Sequence, residues 1–185
     1  MKEKIILFTR VPKEGTTKTR LYETNRELLV CHDGNSSDDK EMAELISCDK
    51  FYYQKGDNLG DKMYNALEEV ISDSKVILLG SDIFNLDKDI IEEAFEKLET
   101  HDVVINPSED GGYFLIGMKK AIKEVFDLPS YGDSSVLENL IKVLEKNNLT
   151  YYLGRAALDI DIKEDLLYAE TGYKNIKLLG AGEYN

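Results

Sequence analysis

Short apolar runs alternate with helical stripes along this chain, and this alternation constrains the fold more than any other feature. Seven runs have the length and composition of strands: residues 4–9, 27–32, 50–54, 75–80, 102–106, 112–117 and 150–154. In six further segments apolar residues recur at helical spacing: residues 38–47, 59–72, 87–99, 119–126, 134–147 and 163–171. This alternation predicts an α/β sandwich with a mostly parallel sheet. Because neither a repeat nor a linker interrupts it, we expect a single domain over residues 1–185.

The charge balance excludes two classes of partner. The 185 residues include 23 Lys and Arg against 36 Asp and Glu, a net charge of -13. Nucleic-acid binding and docking on an anionic membrane both need surplus basic residues, so we expect neither. The apolar run near the N-terminus is too short for a membrane span, and the cytoplasm is the expected location. Cys31 and Cys48 lack metal-site or disulfide spacing and are predicted to be buried free thiols.

The first apolar run ends in a loop that is rich in basic residues. Arg10 follows the run directly, and Lys18 and Arg20 lie within the next ten residues, beyond Gly15. Open parallel sheets bind ligands just past the carboxyl ends of their strands. On an otherwise acidic chain this pattern predicts a site for a phosphorylated ligand, and a solvated basic loop is the alternative.

Three aspartates are candidate metal ligands. Asp82 directly follows the apolar run 75–80 and Ser81, where it either holds Mg²⁺ or Mn²⁺ or caps a turn. Alternation along the sequence predicts that Asp159 and Asp161 share one face of an extended segment, and two carboxylates aimed the same way repel unless a cation or a proton relieves them. Asp161 is also a candidate N-cap for the helix at 163–171.

Two other loops carry recognisable local patterns. Glu109-Asp110-Gly111-Gly112 precedes a strand that begins near Tyr113, and it is either a sugar-binding lip or an ordinary turn. The stretch 33–39 is a loop that leads into a helix, with Ser36 or Ser37 as the expected N-cap. Asp57 or Asn58 is the expected cap of the helix at 59–72.

Five segments, taken in order, carry a resemblance to a known family. They are Phe8–Pro12 with Gly15 and Lys18–Leu21, Gly56–Met63, Gly80–Asp82, Glu109–Gly117, and Asp159–Asp161 with Glu164–Leu166. These segments resemble the bacterial glycosyltransferase-A-like family of nucleotide-diphospho-sugar transferases, of the type associated with arsenosugar biosynthesis. The resemblance implies a three-layer α/β/α sandwich. It also implies that Arg10, Lys18 and Arg20 contact the nucleotide diphosphate.

The same resemblance implies roles for the acidic residues. Asp82 would take the place of the metal-binding aspartate. Asp161, with Asp159, would form the second carboxylate site near a divalent Mg or Mn ion. Glu109 and Asp110 would border the sugar and the acceptor as the catalytic pair.

The implied function is metal-assisted transfer of a sugar from a nucleotide-diphospho-sugar to a small-molecule acceptor. A nucleotidyltransferase on the same fold and a degenerate, non-catalytic nucleotide-binding protein are the alternatives. Members of the family carry a helix after the segment that matches Lys18–Leu21, whereas here only Tyr22 to Arg26 precede the run 27–32. We therefore expect this shortened segment to leave an apolar sheet face uncovered, which predicts a homodimer.

Overall fold

One eight-stranded sheet organises the chain. The computed structural model describes residues 1–11, 26–81, 86, 88–156 and 182–184. The strands within these ranges are β1 (Lys2–Thr9), β2 (Glu27–His32), β3 (Lys50–Tyr53), β4 (Ser74–Gly80), β5 (Val103–Pro107), β6 (Tyr113–Met118), β7 (Tyr151–Leu153) and β8 (Gly182–Tyr184). The α-helices are α1 (Asp39–Leu45), α2 (Leu59–Glu68), α3 (Lys88–Lys97) and α4 (Val136–Lys146), and a 3₁₀ helix spans Lys123–Phe126. All seven predicted strands are confirmed.

The order of the strands brings most carboxyl ends to one edge of the sheet. The order is β3-β2-β1-β4-β6-β5-β7-β8. β1 pairs in parallel with β2 and β4, β2 with β3, and β5 with β7. β6 is antiparallel to both of its neighbours, β4 and β5. The mostly parallel α/β fold is thereby confirmed, and the strand order reverses between β1 and β4, where such sheets bind ligands.

Helices cover both faces of the sheet. Because successive residues of a strand point to opposite sides, neighbouring residues of β1 pack against different helices. On one face Ile6 of β1 shares a core with Leu67 of α2 and Leu140 of α4. On the other face Ile5 shares a core with Phe95 of α3, and α1 packs beside it through a smaller cluster. The result is the three-layer α/β/α sandwich. No helix in the described ranges is long and apolar enough to cross a bilayer.

Two local predictions are wrong in detail. The N-cap of α1 is Asp38 rather than Ser36 or Ser37, because the Ser37 hydroxyl donates a hydrogen bond back to Asn35 Oδ1 at 2.8 Å. The helix predicted over 119–126 shrinks to the 3₁₀ turn, since Ile122 is extended with φ -118° and ψ 107°. Asn58 does cap α2, accepting a hydrogen bond from the Asp61 amide at 2.9 Å.

The structure confirms that the cysteines are free, but it does not describe two of the segments for which the sequence makes predictions. Both cysteines are free, as predicted; Cys31 is buried and Cys48 is half-buried. Burial raises the pKa of the Cys31 thiol to about 12, so it stays protonated at neutral pH. The helix at 163–171 and the segment 22–25 lie outside the described residues, and the homodimer stays a prediction.

An ion-pair network ties β1, β4 and α3 together at the amino edge of the sheet. The Arg26 guanidinium donates to Glu3 at 2.7 Å and to both oxygens of Glu92, at 2.8 and 2.7 Å. The buried Lys75 ammonium donates to Glu99 and lies 3.4 Å from Glu3. The hydrogen bonds from Arg26 are the largest cause that holds the pKa of Glu92 below its ordinary value of 4.5.

Replacing Arg26 with glutamine is expected to reduce stability more at neutral pH than in acid. A carboxylate with a lowered pKa in the folded state stabilises above its ordinary pKa, and this contribution disappears as the pH falls through the folded-state pKa. Because Glu92 is largely exposed, we expect a loss of only about 1 kcal/mol at pH 7. Urea unfolding at pH 7 and pH 3.5 measures the difference. Lys142→Gln, which breaks the exposed pair with Glu138, is the control and should cost less. An equal loss for Arg26→Gln at both pH values would contradict this account.

Candidate functional site

The loop after β1 is fixed by hydrogen bonds from two neighbouring strand ends. The Val11 amide donates to Asp33 Oδ1 at 2.7 Å, just past β2. Gln54 Nε2, just past β3, donates to the Thr9 carbonyl at 2.8 Å. The Thr9 hydroxyl donates to the carbonyl of Arg10 at 3.0 Å. The exposed Arg10 therefore leaves the sheet from an ordered junction at the carboxyl edge, and its predicted convergence with Lys18 and Arg20 stays a prediction because those two residues lie outside the described ranges.

A buried histidine anchors the neighbouring loop after β2. His32 is fully buried, with Nε2 3.0 Å from Asp39 Oδ1, and its Nδ1 accepts a hydrogen bond from the Gly34 amide at 3.2 Å. Since Nδ1 accepts, the ring carries its proton on Nε2 and donates to Asp39. The Tyr53 hydroxyl donates to the other oxygen of Asp39 at 2.9 Å, and this bond raises the pKa of Tyr53. Sequence reasoning found no role for His32, because its partners come from α1 and β3.

The turn between β5 and β6 is built around the carboxylate of Asp110. Asp110 Oδ1 accepts from the Ser108 hydroxyl at 2.5 Å and from the Gly112 amide at 2.9 Å. The backbone closes the same turn, because the Ser108 amide donates to the Gly112 carbonyl at 3.1 Å. Glu109 and Asp110 are both exposed at the carboxyl edge. Glu109 and Asp110 therefore belong to an ordinary turn and also lie at the carboxyl edge of the sheet.

The start of α4 supports this turn from behind. Gly111 has a φ of +90°, and a Cβ placed there would lie 2.3 Å from the Ser134 carbonyl oxygen. The Leu137 amide donates to the Gly111 carbonyl at 2.9 Å. Only glycine fits this backbone conformation and this close approach. The backbone conformation and the close contact with Ser134 thus explain why the first residue of the Gly-Gly pair is a glycine.

Two tyrosines border the turn with uncharged hydroxyl groups. Tyr113, the first residue of β6, has its hydroxyl 3.7 Å from the Met63 sulfur. The Tyr131 hydroxyl donates to the Phe126 carbonyl at 2.9 Å. Burial raises the pKa of Tyr113 well above its ordinary value and that of Tyr131 to about 12. Both hydroxyls therefore remain protonated at neutral pH.

The loop after β7 leaves the same edge in close contact with β5. The Asn106 side-chain amide donates to the Arg155 carbonyl at 3.0 Å. A Cβ at Gly154 would lie 2.3 Å from Asn106 Nδ2, so this position has no room for a side chain. Beyond residue 156 the chain continues toward Asp159 and Asp161, which lie outside the described residues.

The predicted site residues divide into two groups. Three of them lie at the carboxyl edge of the sheet: Arg10 after β1, and Glu109 and Asp110 after β5. β1 and β5 are three strand spacings apart in the sheet, which is about 14 Å. The other five lie outside the described residues: Lys18, Arg20, Asp82, Asp159 and Asp161. The described ranges contain no group of three or more His, Cys, Asp or Glu side chains arranged to hold a metal ion.

Several solved structures share this fold. The chain superposes on a candidate nucleotide-diphospho-sugar transferase from Desulfovibrio desulfuricans G20 with a TM-score of 0.81 and 26% identity, covering 95% of this chain and 89% of that one. CMP:2-keto-3-deoxy-manno-octonic acid synthetase, solved with CTP, matches at a TM-score of 0.61 and 10% identity, over 94% and 99% of the two chains. A protein from Mycobacterium tuberculosis H37Rv, solved with manganese, matches at 0.56 and 11% identity, over 90% and 97%. The last two likenesses show the fold alone.

Comparison with curated sequences identifies a relative and a family. The chain is 32% identical over 136 residues to 2-phospho-L-lactate guanylyltransferase from Methanocaldococcus sp. (strain FS406-22), a match that covers 70% of this chain but only 58% of that enzyme. This relative is named as a guanylyltransferase and the Desulfovibrio desulfuricans G20 protein as a nucleotide-diphospho-sugar transferase, while the protein solved with CTP is named as a synthetase. A sequence family described as "uncharacterized protein conserved in bacteria" (DUF2064) matches residues 16–133, which is more than half of the chain, and the chain belongs to that family.

Proposed function

We propose that the chain is a nucleotide-dependent transferase that moves a sugar from a nucleotide-diphospho-sugar to a small hydroxyl-bearing acceptor. The observation that supports this most is the exposed Glu109 carboxylate, held beside a fixed turn at the carboxyl edge of the sheet, the edge at which open parallel sheets bind ligands. A carboxylate in this place can accept the proton of an acceptor hydroxyl. The likeness to the Desulfovibrio desulfuricans G20 protein, which extends over 95% of the chain, supports the same reaction.

In this reaction the acceptor oxygen forms a bond to the anomeric carbon of the sugar. The bond from that carbon to the diphosphate oxygen breaks, and the nucleoside diphosphate leaves with the electron pair. The acceptor proton passes to Glu109. Negative charge develops on the departing diphosphate, and we assign its stabilisation to Arg10, Lys18 and Arg20, because fixed cations placed at a developing charge lower the barrier of such reactions strongly.

A divalent cation fits the same proposal. Asp82, Asp159 and Asp161 supply carboxylate oxygens, the donors that Mg²⁺ and Mn²⁺ prefer. When bound, the ion would neutralise charge on the diphosphate. The manganese in the structurally similar Mycobacterium tuberculosis protein agrees with this donor chemistry, although the likeness is one of fold.

Nucleotidyl transfer is a second candidate, favoured by the 32% identity to 2-phospho-L-lactate guanylyltransferase. In that case an oxygen of a phosphorylated acceptor would form a bond to the α-phosphorus of a nucleoside triphosphate, and pyrophosphate would leave. The basic residues would serve both reactions, because each releases a diphosphate group. The acceptor differs, since nucleotidyl transfer would bring an anionic phosphate to the edge that carries Glu109.

A paired assay separates the candidates. The full chain is incubated with Mg²⁺ or Mn²⁺ and either a panel of nucleotide sugars or the four ribonucleoside triphosphates, each with hydroxyl and phosphorylated acceptors including 2-phospho-L-lactate. Release of nucleoside diphosphate from a nucleotide sugar supports glycosyl transfer. Release of pyrophosphate that depends on a phosphorylated acceptor supports nucleotidyl transfer instead. A thermal shift with nucleotides but no turnover with any pair would support a non-catalytic nucleotide-binding protein.

Replacing Arg10 with glutamine is expected to lower kcat/KM for the nucleotide substrate by about 10- to 100-fold. A hydrogen bond to a charged group contributes about 1.5–3 kcal/mol, which corresponds to that range. Steady-state kinetics at constant ionic strength measure the change. Lys2→Gln is the matched control, because it removes one positive charge from the exposed opposite end of the same strand. Equal effects of the two substitutions would show that Arg10 acts only through net charge.

A further inference from the structure

The two adjacent carboxylates of the β5–β6 turn have different surroundings. Asp110 Oδ1 already accepts two hydrogen bonds, from the Ser108 hydroxyl at 2.5 Å and from the Gly112 amide at 2.9 Å. Glu109 is exposed, and its carboxylate makes no hydrogen bond or ion pair to any described residue. Within the described ranges no side chain occupies the oxygens of Glu109, whereas one oxygen of Asp110 is committed to the turn.

The bonds of Asp110 close the turn across its own width. Ser108 is buried and follows directly on Pro107, the last residue of β5, so its hydroxyl belongs to the rigid side of the loop. Gly112 directly precedes β6. One carboxylate oxygen thus joins the residue that leaves one strand to the residue that enters the next. Glu109 lies between these two anchored points.

The opposite side of the turn is fixed as well. Gly111 approaches the Ser134 carbonyl too closely for any side chain, and its own carbonyl accepts the Leu137 amide at 2.9 Å. Because α4 holds one side and Asp110 the other, the backbone at Glu109 has little freedom to move. A catalytic group that must meet a substrate within a few tenths of an ångström gains from such support.

We propose that Asp110 is a positioning residue and that Glu109 is the carboxylate that contacts the acceptor. This inference rests on the proposed function, and it replaces a catalytic pair with one reacting group and one supporting group. The role of Asp110 requires an oxygen acceptor at Oδ1 but no negative charge. The role of Glu109 requires the charge, because it takes the proton of the acceptor hydroxyl.

Substitutions that separate charge from hydrogen bonding test this division. Asp110→Asn keeps an Oδ1 acceptor and should retain kcat within about three-fold, as rescue by a conservative variant requires. Asp110→Ala removes both bonds and should lower kcat/KM by about 10- to 100-fold. Glu109→Gln should lower kcat by about 10²- to 10⁴-fold, the usual contribution of a general base. Hydrogen exchange of the Gly112 amide should quicken in Asp110→Ala and stay unchanged in the other two variants.

Asp102 provides a matched control at the other end of β5. Asp102 Oδ2 accepts from the Thr150 amide at 2.9 Å and from the Thr150 hydroxyl at 2.7 Å, so it accepts one amide and one hydroxyl donor, as Asp110 Oδ1 does. Asp102→Ala should lower the melting temperature without the loss of kcat/KM that Asp110→Ala shows. If it lowers kcat/KM equally, the effect at Asp110 is only one of stability, and the positioning role is overturned.

The outcomes also separate this inference from the proposed function. If Asp110→Asn is as inactive as Glu109→Gln while the Gly112 amide stays protected, the charge of Asp110 itself acts and the inference is overturned. An active Glu109→Gln variant overturns the role of Glu109. Wild-type protein that transfers no sugar from any nucleotide sugar overturns the proposed function, and with it the role of Glu109. The Gly112 exchange data alone then report whether Asp110 holds the turn.

Discussion

Replacing Asp82 with asparagine is expected to lower metal-dependent transfer by about 10²- to 10³-fold, the range that follows when one strong electrostatic contact to the transition state is lost. Asp82 comes two residues after Gly80, the last residue of β4, and β4 lies next to β1 at the point where the strand order reverses. We propose this carboxylate as a ligand of the divalent ion. Initial rates over a titration of Mn²⁺ and Mg²⁺ measure both the loss of kcat and the weaker metal dependence.

Asp73→Asn is the matched control for this substitution. Asp73 is exposed and directly precedes β4 at the amino end of the strand, so the change removes the same charge from the opposite edge. Its φ of 52° is a conformation that asparagine adopts well, and the fold should tolerate the change. If Asp82→Asn keeps the wild-type metal dependence, Asp82 is only a turn cap, and the metal proposal at this position is wrong.

The sheet could be predicted because strands that are buried on both faces have a recognisable hydrophobic pattern in the sequence. A strand covered on both faces must be apolar at successive positions, as in residues 76–79 of β4, all of which are buried. The sequence pattern does not predict β8, because the pairing of Gly182–Tyr184 with β7 is not encoded locally. The apolar residues around Lys123–Phe126 predict a longer helix than the 3₁₀ turn that forms, because some of them, such as Ile122, pack on the core from an extended backbone.

The candidate site was predictable only where a local pattern ends a strand. Arg10 directly follows β1 and Glu109 comes two residues after the end of β5, and the parallel order of the strands predicts that both lie at the carboxyl edge of the sheet. The contacts that hold these loops could not, because they join distant residues: Gln54 reaches the Thr9 carbonyl across 45 positions. One contact did leave a local trace. Ser108 and Asp110, followed by glycine, form the short-range pattern in which side chains bond to a nearby backbone amide.

Gly60 provides a case in which helix propensity and packing predict opposite results. It is the second residue of α2, where alanine should stabilise an exposed helix by about 1 kcal/mol. A Cβ at Gly60, however, would lie 2.1 Å from the Phe126 carbonyl oxygen and 3.0 Å from the Tyr131 ring. This approach lets α2 pack against the 3₁₀ turn, and it explains why a glycine stands inside the Gly56–Met63 segment.

Gly60→Ala is therefore expected to lower the free energy of unfolding by about 3 kcal/mol, since overpacking a tight contact costs about 1–3 kcal/mol or more and a backbone oxygen cannot rotate away. Urea unfolding monitored by circular dichroism measures the change. Gly132→Ala is the control: its φ is +85° but no atom lies within 4 Å of the added Cβ, so only backbone strain contributes, about 1 kcal/mol. A stabilised Gly60→Ala variant would mean that α2 and the 3₁₀ turn do not approach this closely.

Because Tyr131 contacts both Gly60 and the Phe126 carbonyl, we also expect the tyrosines beside the β5–β6 turn to shift. A change in the tyrosine fluorescence of the folded Gly60→Ala variant would report this shift.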